Sequence, residues 1–409
     1  MIVEWKTTRV GDQINLQRGF DITRDGAACG PFPVISSSGT SFYNDKAMVS
    51  GPGVVIGRKG TLGTVFYVEG DYWPHDTTLW VTDFCGNNPR FVYYFLKSLS
   101  LQDFDVGSAN PTLNRNHVHP IEVLWPPREE QDGISYILST IDGKIESNCL
   151  VRRNLESAME QIFKSMFKGK EEKDEALNWC GRSFAKYTSD QNRASDGWSI
   201  VKFGQITDRI SMGPFGSRIK AENFVDAGVP VIRGSNLAGM FVDGKFAYLS
   251  NEKADELSAS RAEAGDIVFT HRGTVGQVSL VPDDGEHKRY VVSQSQMVAT
   301  VNEEMCSRYY AYLYFSVGRG RWEIESNINT TGVPAISRPS TFLKNVTFPL
   351  PNRELMSAFD GIVRPMFNLA SQCDKESSIL LELRDLLLPK LMSGEIRVKD
   401  AERMVGDVI

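Results

Sequence analysis

Two short basic segments closed by glycines are the stretches of this 409-residue chain best suited to chemistry with a phosphate or a nucleic-acid groove. They are Gly57-Arg58-Lys59-Gly60-Thr61-Leu62-Gly63 and His271-Arg272-Gly273-Thr274-Val275-Gly276. In each, a cation sits within a glycine-flanked hairpin, where the bare backbone can approach a phosphate or a base edge closely. A basic residue recurs at the same hairpin, so Arg58 and Arg272 are expected at the ligand surface, with Lys59 beside the first. The same residues also suit a plain tight turn, whose glycines serve only positive φ and whose arginine is solvated, and both readings stand at this point. Polar loops recur around the hairpins. Ser36-Ser37-Ser38-Gly39 and Arg233-Gly234-Ser235-Asn236 occupy matching places, as do residues 110–115, with Asn114 and Arg115, and 329–338, with Arg338. Ser217, Arg218, Lys220, Ser293, Gln294 and Gln296 extend the set. Such side chains can hydrogen-bond base edges and are also ordinary loop residues; their recurrence is what raises them above background.

Motifs for catalysis are a different matter. The chain has no Gly-x-x-x-x-Gly-Lys-Ser/Thr phosphate loop and no Gly-x-Gly-x-x-Gly opening a helix after a strand. Amino-methyltransferases use an Asn/Asp-Pro-Pro-aromatic run; Asn88-Pro89-Arg90-Phe91 comes nearest and lacks the second proline. His117 and His119 alternate on an expected strand without a third ligand, which reads as a surface or packed pair rather than a metal site. No catalytic residue and no metal ligand is therefore expected.

The elements that must carry these loops are written twice. Trp5 to Asp12 is echoed by Trp198 to Gln205, Phe32-Pro33-Val34-Ile35 by Val229-Pro230-Val231-Ile232, and the glycine hairpins by one another. A period this long fits duplicated domains rather than a solenoid. Each copy reads as strand-rich: runs at 54–56, 64–68 and 77–81 in the first, and at 267–270, 277–281, 290–292 and 297–301 in the second, are cut by Gly, Pro and Asn. Helices are expected over 91–100 and 308–317. After Pro126-Pro127 and Pro349-Leu350-Pro351 the apolar period lengthens to three and four. Ile134, Ile137, Leu138, Ile141 and Ile145 continue to Met166 as one stripe; Leu355, Phe359 and Ile362 continue to Leu391 as its twin. Each predicts a helix roughly 60 Å long. A narrow seam of that length needs a partner, and the cheapest is its own copy, packed antiparallel as a coiled coil. The fold class is thus α+β: two similar strand-rich domains joined by two long antiparallel helices. The expected boundaries are 1–125, a helix over 126–168, a linker 169–195, a second domain 196–350, a helix over 351–393 that Pro365 should bend, and a tail 394–409.

A composition of 41% apolar and 23% charged residues is that of an ordinary soluble protein, and no apolar run approaches a membrane span. A cytoplasmic location without membrane contact is expected. Six cysteines stand far apart and are read as reduced, mostly buried thiols. The net charge of −6 opposes non-specific DNA affinity, although the cations gather near the glycine loops of the heads and local field outweighs the total.

Met212 to Lys220 (MGPFGSRIK), Gly228 to Leu237 (GVPVIRGSNL), Gly265 to Phe269 and the terminal Leu383 to Val398 (LRDLLLPKLMSGEIRV) resemble the specificity subunits of type I DNA restriction–modification systems. Pro126 to Gln131 and Ile162 to Phe167 are similar to the two ends of that family's central helix. The resemblance covers the chain, with the first head the more divergent. It implies two inverted target-recognition domains that read the halves of a split asymmetric double-stranded DNA site, with paired helices setting the unread spacer. It implies two modification subunits as partners, which hold S-adenosylmethionine and methylate adenine, and restriction subunits using ATP and Mg where these are present; this chain would hold no cofactor. Two other readings compete: a self-contained DNA adenine methyltransferase with a diverged cofactor motif, and a coiled-coil scaffold without a DNA role.

Overall fold

The computed structural model describes residues 5–99, 101–104, 112–167 and 198–406. The expected linker over 169–195 lies outside them, as does Cys180. The chain divides into two compact units, one of residues 1–148 and 376–409, the other of residues 149–375.

In the first unit, β-branched residues at 54–56 form the middle of a four-stranded sheet in the order Asn15–Arg18, Thr78–Asp83, Gly53–Gly57, Val65–Val68, antiparallel throughout. A three-stranded sheet places Phe32–Ser36 between Gly39–Asn44 and the short parallel strand Trp73–Pro74. Lys6–Arg9 pairs with Glu122–Trp125 and closes the head. Asn88 caps the helix Pro89–Ser98 by accepting from the backbone of Arg90 and Phe91. Phe91 and Phe95 of this helix pack edge-on against Trp125 in the core.

The second unit repeats this plan. Its four-stranded sheet runs Thr207–Met212, Gln296–Val301, Ile267–Thr270, Val278–Leu280, and Ser199–Lys202 pairs with Thr347–Leu350. Val229–Ile232 lies beside the parallel strand Tyr290–Val292, with Phe224–Val225, Ala247–Leu249 and Arg261–Ala262 completing five strands. The duplication extends to single backbone hydrogen bonds. Arg58 N donates to Thr77 O as His271 N does to Ser295 O. Leu113 N donates to Arg58 O as Ile336 N does to His271 O, and Gly19 N to Thr78 O as Gly213 N to Gln296 O. These bonds correct the expected match between Arg58 and Arg272: the counterpart of Arg58 is His271, and that of Arg272 is Lys59.

The long helices are Arg128–Phe167 and Arg353–Ser393. Within the first unit, Asp142 pairs with Arg384 at 3.0 Å, and Asn148 donates to Glu376 at 2.8 Å. Within the second, Arg152 meets Asp374 at 3.1 Å and Phe167 meets Phe359 with ring centroids 4.9 Å apart. Partners ascend one helix as they descend the other, so the pairing is antiparallel in both units. The apolar stripes serve the heads as well as each other. Ile134, Ile137, Leu138 and Ile141 share a core with Phe91, Phe95, Leu387 and Leu391, while Met159 and Phe163 share one with Tyr310 and Phe359.

Three local expectations change. The second long helix is continuous through Pro365, so the proline marks no break in it, and buried Phe359, Val363 and Phe367 on either side offset a proline cost of about 3 kcal/mol. The expected tail contains a helix, Val398–Gly406, whose Ala401 and Val405 are buried in the first unit's core; Gly133 leaves room for Val398, since a Cβ there would lie 2.7 Å from Val398 Cγ1. Of the described cysteines, Cys306 and Cys373 are buried, Cys149 is half-buried, and Cys29 and Cys85 are exposed. Among the described residues no helix is long and apolar enough to cross a membrane.

Candidate nucleic-acid interface

In each head, the ends of the strands bring five loops to one rim. In the first, these are Arg18–Phe20, Ser36–Ser38, Arg58–Gly60, His75–Thr77 and Thr112–Arg115. Arg18 Nη2 binds Asp76 Oδ2 at 2.6 Å, Ser37 N donates to Thr77 Oγ1 at 3.3 Å, and Lys59 bridges to Thr112. In the second they are Met212–Pro214, Arg233–Ser235, His271–Gly273, Ser293–Ser295 and Ala335–Arg338. His271 N donates to Ser295 O at 3.0 Å, and Arg272 bridges to Ala335. A tight backbone contact recurs within each rim: a Cβ on Gly19 would lie 2.2 Å from His75 O, and one on Gly213 would lie 1.8 Å from Ser293 O.

The expected residues divide by exposure. Ser38, Lys59, Asn114, Arg115, Arg218, Lys220, Arg233, Arg272, Gln294 and Arg338 are exposed. Among the described residues Arg272 has no ion pair, while Lys220 lies 3.5 Å from Glu222 with both groups in solvent, a contact of little energetic weight. Arg233 holds its guanidinium 5.4 Å over the Phe224 ring. Asn114 spends its side-chain oxygen capping the turn Arg115–Val118, and Arg338 adopts a left-handed φ of 48° at the head of the helix Pro339–Asn345. Ser217 lies in the turn Gly216–Arg218, its side chain outside the described residues.

Several other expected contacts are corrected by burial. Asn236, 2% exposed, donates to Asp243 O and Lys245 O and accepts from Arg233 N, so it folds its own loop. Gln296, 1% exposed, accepts from Ser293 Oγ and donates to Thr270 Oγ1. Ser293 is half-buried and turned to that amide. Ser36 is buried, donating to Gly39 O and accepting from Ser41. Ser37 is buried as well. A buried polar group without a partner costs more than its hydrogen bond returns, and these side chains are satisfied within the protein. Arg319 and Arg321, also near glycines, pair with Glu323 and Glu325 along their own helix.

Arg58 lies between these extremes. It is half-buried, and its Nη1 is shielded from solvent without a hydrogen-bond partner. Burial and the neighbouring Arg18 pull its guanidinium below the ordinary arginine value, with Asp76 opposing. His271, its counterpart, donates through Nε2 to Gln294 O at 3.2 Å, and burial holds the imidazole below its ordinary value. That neutral ring shapes the rim tripeptide. The His117 and His119 pair sits on a helical turn rather than a strand, because Asn114 caps it; His119 Nε2 accepts from Leu16 N at 3.1 Å. Asp21, His75 and Asp76 form the one group with metal-ligand geometry among the described residues. Both ring nitrogens of His75 are engaged, by Ile22 O and by Thr77, and Arg18 holds Asp76, so this group closes upon itself.

Sequence reasoning missed the tripeptide His75-Asp76-Thr77. It fills the same gap between strands as Ser293-Gln294-Ser295, three residues in each head, yet shares no residue type with it. It also missed Gln277, which donates to Gly234 O, and Phe215, which is 73% exposed.

The exposed turn cations give a direct test. Arg272→Ala is expected to weaken DNA binding about equally across sequences and to lower the salt dependence by about one counterion, because an unpaired cation on a glycine turn suits a phosphate. Binding titrations over a series of salt concentrations read this. Relaxation at a single base position would assign Arg272 to a base edge instead, and unchanged binding would return it to a solvated turn.

Residues 2–154 match the family model described as "Type I restriction modification DNA specificity domain". The MjaIX specificity subunit of Methanocaldococcus jannaschii is 23% identical over 319 residues, covering 76% of this chain and 70% of that protein. The HindI specificity subunit of Haemophilus influenzae is 21% identical over 361 residues, covering 75% of this chain and 77% of that one. The crystal structure of a type I system S subunit from M. genitalium superposes with a TM-score of 0.65 over 96% of both chains, at 16% identity, which is a likeness of fold. Two heads built on one backbone plan, with paired long helices, agree with these likenesses, and residues 2–154 carry the match to the specificity domain of type I restriction–modification systems.

Proposed function

We propose that each rim reads one half of a split, asymmetric DNA site and that the chain positions partner subunits without performing chemistry itself. The observation that carries this is the conserved scaffold with changed side chains: the same backbone hydrogen bonds build both rims, while Arg58, Asp76 and Thr77 stand where His271, Gln294 and Ser295 do in the other. One frame presenting two sets of donors and acceptors suits two different short sequences. The partners on this reading are two modification subunits, which carry S-adenosylmethionine and methylate adenine, with restriction subunits using ATP and Mg where these occur. The complex works in the cytoplasm.

Calorimetric titration of the purified chain with S-adenosylmethionine is expected to give no binding, whereas the assembly with modification subunits takes up the cofactor and methylates adenines in a bipartite pattern. Stoichiometric uptake by this chain alone would favour the self-contained methyltransferase instead.

A further inference from the structure

Phe215 is the most exposed large apolar side chain among the described residues, at 73%, and the other described phenylalanines are buried more deeply. Leaving a phenyl ring in water forgoes the gain of burial, so its place needs an explanation. Its base is held rigidly. Gly213 N donates to Gln296 O at 2.9 Å, Met212 O accepts from Ser260 Oγ at 2.8 Å, and Pro214 is buried. Gly213 itself is pressed against Ser293, where no Cβ fits. Gly216, at φ +66°, then turns the chain away, leaving the ring at the tip beside the rim tripeptide. Two exposed cations follow it closely in sequence, Arg218 and Lys220.

The first head treats the same position differently. Gly19 is pressed against His75 as Gly213 is against Ser293. Phe20, which matches the buried Pro214, turns inward in the same way: its N donates to Pro74 O at 2.8 Å, and its ring lies against Trp73 and Trp80 at 6.5 and 6.2 Å. At the place of Phe215 the first rim carries an exposed carboxylate, Asp21, so only the second rim projects an aromatic there.

Resting on the DNA-recognition reading above, we propose that Phe215 is a wedge: its ring enters a base step of the half-site read by the second head and partly unstacks it. A rigidly rooted aromatic with flanking cations matches what such insertion requires, an apolar ring for the opened step and positive charge for the two adjoining phosphates. The segment around it also exposes Phe224 and Val225, so a contact with a partner subunit is the competing reading that the test below separates. The wedge makes the second half-site sensitive to how easily its step opens, a form of selection without hydrogen bonds to a base edge.

The test uses the assembled complex with its modification subunits and duplexes carrying the methylation-mapped site, with 2-aminopurine placed in turn at each step of the second half-site. The wild-type complex should brighten the probe at one step. Phe215→Ala should remove that signal and weaken binding about tenfold, Phe215→Leu should retain most of both, and a mismatch at the same step should restore the affinity of the alanine variant. Unchanged brightening and affinity in Phe215→Ala would overturn the proposal. So would dissociation of that variant from its modification subunits on size exclusion, which would assign the ring to a protein contact. Failure of the wild-type complex to select any site would strike the DNA-recognition reading itself, and is separable because it does not depend on the substitution.

Discussion

Four residues inserted between Asn148 and Cys149, matched by four between Lys375 and Glu376, are expected to lengthen the unread DNA spacer while both half-sites stay the same. Asn148 is bound to Glu376 within the first unit and Arg152 to Asp374 within the second, so the two junctions fall at matched places in the antiparallel pairings. A matched insertion therefore leaves the contacts within each unit intact, including Asp142 with Arg384 and Phe167 with Phe359. Four helical residues add about 6 Å and about one turn plus 40°. B-DNA advances ~34–36 Å in each 10–10.5 base pairs, so the added length corresponds to between one and two base pairs. The added 40° is close to the twist of a single base pair, which favours one over two. Insertion in one helix alone makes the two connections between the units unequal and is expected to abolish selective methylation. Mapping methylated adenines genome-wide reads both results. A matched variant that methylates only at the original spacing would show that the helices do not set the distance.

Replacing residues 1–125 with the head of another such subunit is expected to change one half of the recognised sequence and leave the other intact. Each rim is built from its own strands and from the hydrogen bonds described within its own head, and this is the physical basis for independent readout. The cost of a wrong half-site is large: two mismatched base pairs amount to about 2–6 kcal/mol, so methylation at the old sites should vanish from the map. The first head shares its core with the helices, however, through Phe91, Phe95 and Trp125 against Ile134, Ile137, Leu387 and Leu391. A foreign head must match that surface to fold. A second variant keeps the host core and exchanges only the rim segments 36–38, 58–60 and 75–77, and it should change the same half-site. Alteration of both half-sites by either variant would sink modular readout.

The duplication, the strands and the long helices were legible because their signals are local. Ile267–Thr270 and Tyr290–Val292 were read to the residue, since β-branched runs bounded by polar turns carry their own period. The helix at Pro89–Ser98 was read two residues late, because the capping role of Asn88 is visible only beside its hydrogen bonds. The final helix was missed because Val398, Ala401 and Val405 are too few to announce a stripe; its stability comes from the core it covers and from the room that Gly133 leaves.

The places of the rim loops recur along the sequence, whereas the burial of their side chains does not show there, and the reason is again physical. Recurrence along the chain located the loops, since glycine-bounded turns at matched places need no knowledge of distant neighbours. Which side chains remain available is a question of burial, decided by segments far away in sequence: Asn236 is consumed by Asp243 and Lys245, Gln296 by Thr270, and Ser36 by Gly39 and Ser41. Residue type could not separate Arg58 from Lys59 as the counterpart of Arg272; the hydrogen bonds to Thr77 and Ser295 did. Periodicity and spacing follow from backbone geometry repeated every few residues, so they can be read one-dimensionally. Exposure, pairing and register across a rim arise where strands separated by tens of residues meet, and they exist only once the chain has closed upon itself.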